Sequence, residues 1–151
     1  MLISQGDDFG WPYCFYSTEV KSLVLAPEYG GDGRKIGRCA GKKEPIMVFP
    51  GHWAPLALAF STGSGMPGPY ADGVFVAFHG SWNRAPLPQA GYRVVFAPFA
   101  DGQPTGSYTT FAAGTESDTW LRASGVAVAP DGAVYISADN RGTIWKVVRA
   151  T

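Results

Sequence analysis

"GVAVAPDGAVYISADNRGTIWKVV" (residues 125–148) contains three short apolar runs rich in Val, Ile, Tyr and Trp. Two clusters divide them, Pro130-Asp131-Gly132 and Asp139-Asn140-Arg141-Gly142, whose residue types supply the positive φ that tight hairpins require. Three β-prone runs separated by two turns predict an antiparallel unit of three strands. The same order occurs upstream: "LALAF" (56–60), "GVFVAF" (73–78) and "YRVVFAPF" (92–99). In both sets a small apolar run comes first, then a hydrophobic run that ends polar ("HGSWNR", 79–84, against "DNRG"). A run carrying a basic residue among Val and aromatics comes third. Self-similarity at a period of tens of residues predicts repeated sheets, and small residues on the first strand suit the crowded centre of a propeller.

With "SYTTFAA" (107–113) as a fourth strand, the expected fold is all-β: a partial β-propeller of about two four-stranded blades over residues 46–151. An irregular segment, residues 1–45, precedes it. "PIMVF" (45–49) reads as an unpaired strand before the first blade, and the second blade has only three strands. Two blades cannot close a ring, since propellers typically have about 4–8. The chain is therefore expected either to be part of something larger or to assemble with copies of itself. Trp145 and Phe96 are expected on outer strands, filling the wedge between sheets.

Residues 1–45 are rich in Gly, Pro and charge and show no sustained apolar period. Trp11 of "FGWP" is expected to be buried there, anchoring the segment with Tyr13. Cys14 and Cys39 permit one disulfide, closing a loop of about 25 residues and contributing on the order of 3 kcal/mol; the other reading is two unrelated thiols. A bridge implies an oxidising compartment. "GGDGRKIG" (30–37) lacks the GK[ST] ending and the strand-to-helix context of a phosphate loop, and reads as a flexible loop.

Composition narrows the partners. Twelve basic residues balance twelve acidic ones over 151 residues, with no basic cluster to mark a nucleic-acid or anionic-membrane surface. Gly and Pro interrupt every apolar stretch well before the roughly 20 residues that span a bilayer. Residues 1–10 carry no signal-peptide pattern.

"DFGWPYC" (8–14), "HWAPLALAF" (52–60), "VFVAFHGSWNR" (74–84), "GYRVVFAPFADGQPTG" (91–106) and the stretch 125–147 together resemble the C-terminal portion of the soluble quinoprotein glucose/sorbosone dehydrogenases. The resemblance implies a six-bladed propeller, periplasmic or secreted, that binds pyrroloquinoline quinone (PQQ) with the help of calcium. It further implies oxidation of sugars by hydride transfer to the quinone. In that family the basic histidine and the calcium site lie upstream of the "GWP" segment, so both are expected to be missing here. The resemblance carries over one side of the quinone pocket: Arg84 as the cation of the "HGSWNR" turn, Arg122 before the next repeat, and His79 and Asn83 beside them. Trp82 or Trp120 covers the ring.

The chemistry suits a tricarboxylate, because Arg offers a planar bidentate fork and Asn an amide donor. The competing reading is a solvated turn, with Trp82 packed on a sheet and Arg122 on a surface loop. His52 and His79 are the two histidines. No carboxylate or thiol stands at ligand spacing from either in sequence, and none can be named to orient His79 as a base, so no metal site and no catalytic residue is expected. Ser81 lacks a nucleophile-elbow motif. The expected function is thus a fragment of a PQQ-dependent sugar dehydrogenase, inactive alone. The alternative is a non-catalytic binding or self-assembling module, a homo-oligomer joined through unpaired strands.

Overall fold

The computed structural model describes residues 2–114 and 121–150. The chain divides into two units, Met1–Val48 and Phe49–Thr151. No described helix is long and apolar enough to cross a membrane.

In the first unit, β1 (Cys14–Ser17) and β2 (Ser22–Leu25) form an antiparallel hairpin with Cys14 opposite Leu25. This corrects the expectation of wholly irregular structure. Four-residue strands around a charged turn are too short to show an apolar period. The Cys14–Cys39 disulfide, with Cα atoms 5.9 Å apart, joins the hairpin to the loop that follows it. Leu23 and Leu25 pack beside the bridge. Trp11, expected to be buried, is 86% exposed. Tyr13 instead takes the packing role, with the Arg38 guanidinium 3.6 Å above its ring and Tyr29 against its edge at 4.7 Å. In "GGDGRKIG" the Asp32 carboxylate accepts the backbone N–H groups of Arg34 and Lys35, which holds its pKa below the ordinary value.

The second unit contains two antiparallel sheets. In the larger, β3 (Pro55–Phe60), β4 (Gly73–Phe78), β5 (Arg93–Ala100) and β6 (Gln103–Pro104) lie side by side, and β7 (Thr109–Ala113) also pairs with β5. The smaller orders β8 (Ala123–Val128), β9 (Val134–Ala138) and β10 (Thr143–Val147) with β9 central. β4 is buried along its whole length because sheet neighbours flank it and β8 lies against it. Its register sets Phe75 opposite Phe96 and Ala77 opposite Val94. Those four residues, with Leu121, Ala123, Val134 and Ile136, make the core shared by the two sheets. Burial of these apolar side chains, each about 1.5–3 kcal/mol for the larger ones, is the main force joining the sheets.

The two-blade propeller is not what the structure shows. Among the described residues the sheets number three, of two, five and three strands, and "PIMVF" carries no strand. Pro45 and Pro50 each remove a ladder donor at its ends. Strand repetition specifies hairpins; it does not specify how sheets are arranged around one another. Phe96 lies in the core at 1% exposure rather than at an outer wedge, and Trp145 on β10 is 44% exposed.

Candidate functional site

The polar residues that end β4 and those that end β9 meet. His79 follows β4, and its backbone N–H donates to the Ala54 carbonyl at 3.0 Å. That bond places Nε2 2.9 and 3.1 Å from the two carboxylate oxygens of Asp139, the residue that follows β9. The sequence offers no partner for His79 by spacing, since Asp139 lies 60 residues on. One signal was available: "HGSWNR" and "DNRG" occupy the same place in the two repeats. Asp139 belongs to a turn, and it is also the partner that orients the imidazole.

Gly80 and Tyr92 fix what comes next. Gly80 has φ +91°, and a Cβ there would lie 2.1 Å from the Tyr92 ring, so the chain passes over the ring only as glycine. The Tyr92 hydroxyl donates to the Ser81 carbonyl at 2.9 Å. Ser81 closes the loop that starts here: its N–H donates to the Ala90 carbonyl at 2.8 Å, and its Oγ accepts the Ala90 N–H at 2.7 Å. The loop returns at Gly91, where a Cβ would meet the Trp53 Cα at 2.8 Å. Ser81 and Tyr92 are buried, at 2% and 4% exposure. A rigid base therefore presents a solvent-facing loop.

On that loop Trp82 is 79% exposed, Asn83 is exposed and Arg84 is half-buried. Trp82 therefore does not pack on a sheet. Arg122, half-buried ahead of β8, sets its guanidinium 5.0 Å from the centre of the Tyr92 ring. Tyr92 thus touches both elements that carry candidate cations. Arg84 and Arg122 pair with no carboxylate among the described residues. Two arginines with no carboxylate partner among the described residues, on elements that both meet Tyr92, and an exposed amide and indole on the loop, suit a flat, polyanionic ligand. Trp120 lies outside the described residues, and His52 is exposed with φ +66°. Among the described residues no group of three or more His, Cys, Asp or Glu side chains is placed to hold a metal ion.

Comparison with known proteins sets this geometry in a family. The sequence model of the TrAA12-like family matches residues 2–150. A PQQ-dependent pyranose dehydrogenase of Coprinopsis cinerea is 35% identical over 98 residues, 59% of this chain and 12% of that protein. An uncharacterised protein of Borreliella burgdorferi is 29% identical over 154 residues, covering 93% of this chain and 36% of its own length. Two structures of a Trichoderma reesei carbohydrate-active enzyme of family AA12, an iodide and a calcium structure, share the fold. Each has a TM-score of 0.68 over 94% of this chain, at 23% and 24% identity, and this chain spans 39% and 38% of theirs. The chain thus spans well under half the length of these relatives. The resemblance to glucose/sorbosone dehydrogenases is corrected by these matches, which lead to the AA12 type. The quoted motifs build strand ends and a bridged loop, and such local features do not choose between families.

Proposed function

The chain belongs to the TrAA12-like family, and from that premise we propose that it is a domain of a PQQ-dependent sugar oxidoreductase, its strand-end cluster forming one side of the quinone site. When bound, the quinone supplies the two-electron oxidation of a sugar carbon. The residues of this chain bind and orient it. Arg84 and Arg122 pair with its carboxylates, Asn83 donates from its amide, and Trp82 covers the flat ring. His79, held through Nε2 by Asp139, keeps Nδ1 for the ligand. The observation that supports this reading is that Arg84, on the loop after β4, and Arg122, against the Tyr92 ring, pair with no carboxylate among the described residues. The Coprinopsis relative supports a pyranose as the substrate class. Secretion fits the disulfide, which persists in oxidising compartments.

Turnover is assigned to a larger assembly, because the chain spans 12% of the Coprinopsis dehydrogenase and 38–39% of the Trichoderma enzyme. The test is PQQ titration followed by quenching of tryptophan fluorescence, with a dye-linked sugar assay in parallel. Saturable binding, weakened about tenfold or more by Arg84→Ala and by Arg122→Ala, with no dye reduction, is the expected result. Binding indifferent to both substitutions would sink the assignment.

One observation favours a second reading, self-association. Leu56, Leu58 and Phe60 all project from β3 at more than half exposure, an apolar row of the kind that marks a contact surface. Light scattering separates the two readings: a mass above one chain supports association, and a single-chain mass at high concentration removes it.

A further inference from the structure

We infer that the second unit carries another binding site, at the opposite end of its strands from the His79 cluster, and that this site takes a small neutral phenol. The register fixes the location. Phe78 pairs with Arg93, and Ala138 with Ala123, at the end occupied by His79, Asp139 and Arg122. Gly73 pairs with Pro98, and Val134 with both Val128 and Val147, at the other end. There a cavity of about 600 Å³ opens, inside the roughly 300–1,000 Å³ range of small-molecule sites.

Its walls are pre-formed. The Tyr70 and Phe111 rings meet edge to face with centroids 5.4 Å apart, and Tyr70 also packs on Phe96 of the core at 5.2 Å. Met66, Val134, Val147 and Val148 are among the apolar residues that extend the lining. The loop at 65–66 and the hairpin at 130–132 touch through glycines. A Cβ on Gly65 would stand 3.3 Å from the Pro130 carbonyl oxygen, and one on Gly132 would stand 3.4 Å from the Met66 sulfur. Neither glycine contributes a side chain at these contacts, which leaves the space beside the loops open.

Two charged residues line the same cavity, Asp131 and Arg149. Asp131 uses Oδ1 to accept the Ala133 N–H at 3.0 Å, and its other oxygen has no partner among the described residues, so it can accept from a donor outside. Arg149 brings a guanidinium. The Asp131 carboxylate, the Arg149 guanidinium and the Tyr70 hydroxyl are the polar side chains of a lining otherwise made of Met, Val, Phe, Pro, Ala and Gly, which suits a flat ring with a single hydroxyl that donates to Asp131 and accepts from Arg149. The rings and the Met66 thioether favour an aromatic body. A sugar is a poor match, because several of its hydroxyls would face apolar wall without partners. An aryl carboxylate would set its charge beside that of Asp131. The site is independent of the quinone reading, since none of its residues belongs to the strand-end cluster.

The test is isothermal titration of the full chain with 2-naphthol, with saturation-transfer NMR to identify the bound face. One saturable site per chain is expected. Val148→Trp, at an exposed lining position, is expected to weaken it at least tenfold. Asp131→Asn keeps an oxygen for the Ala133 N–H but loses the charge, and should weaken binding severalfold. Methyl β-glucopyranoside should not compete, and Arg84→Ala should leave the affinity unchanged. Should Val148→Trp fail to fold, Asp131→Asn and Arg149→Ala decide. Absence of saturation, equal affinity in the variants, displacement by the glucoside, or a loss of affinity in Arg84→Ala would each overturn the inference.

Discussion

Tyr92→Phe tests the reasoning about the strand-end cluster at one atom. The hydroxyl donates to the Ser81 carbonyl at 2.9 Å, and both residues are almost wholly buried. Removing it leaves a buried acceptor without its donor, a loss of about 1–3 kcal/mol. The aromatic ring stays, so the contact with Gly80 and the face beneath Arg122 are kept. For a chain of this size such a loss lowers Tm by roughly 3–10 °C. Urea denaturation of the purified variant gives the stability directly, and PQQ titration of the same sample shows whether the loop base matters for the ligand. The expected pattern is a loss of about 1–3 kcal/mol together with a several-fold weaker quinone affinity. A variant within about 0.5 kcal/mol of the parent, with unchanged affinity, would refute the claim that Tyr92 fixes the loop.

The His79–Asp139 pair is partly open to solvent, so Asp139→Ala should cost less than about 1 kcal/mol while moving the His79 imidazole resonances in NMR; unmoved resonances would remove the contact. In the first unit, Lys42 and the Gly10 N–H hold Asp8 below its ordinary pKa, and the backbone of Arg34 and Lys35 does the same for Asp32. A depressed folded pKa contributes stability that is complete above the unfolded value and is lost as pH falls through the folded one. Acid melts followed at Tyr13 should therefore show destabilisation that sets in below about pH 4, and Asp32→Asn should flatten part of it. Reduction of the Cys14–Cys39 bridge, which closes a 25-residue separation, should cost about 3 kcal/mol, read as a lowered denaturation midpoint. A midpoint unmoved by reductant would mean that the loop is held by its packing alone.

Strand-length apolar runs were legible because burial demands them. "GVFVAF" is buried throughout and "YRVVFAPF" carries a continuous buried run from Val94 to Ala97, and the Pro-Asp-Gly turn of the β8–β9 hairpin closes with Gly132 at φ +80°. The arrangement of sheets was not legible, because one repeated hairpin pattern serves many packings. The strands of the β1–β2 hairpin, four residues each, are too short to show a period. "PIMVF" has the apolar content of a strand, but the prolines at 45 and 50 deny it ladder donors and it forms none. Of the strand-end cluster, the residue types were visible in "HGSWNR", but its partners were not. Asp139 reaches His79 only through sheet packing, and Tyr92 resembles an ordinary strand aromatic until its hydroxyl is seen on Ser81.

The central claim is that the ends of β4 and β8 form one side of a quinone site, and amide hydrogen exchange of the chain with and without PQQ tests it most directly. The account predicts slowed exchange confined to residues 79–92 and 121–125. Unchanged exchange at saturating quinone, or protection appearing instead around 65–70 and 131–134, would contradict it.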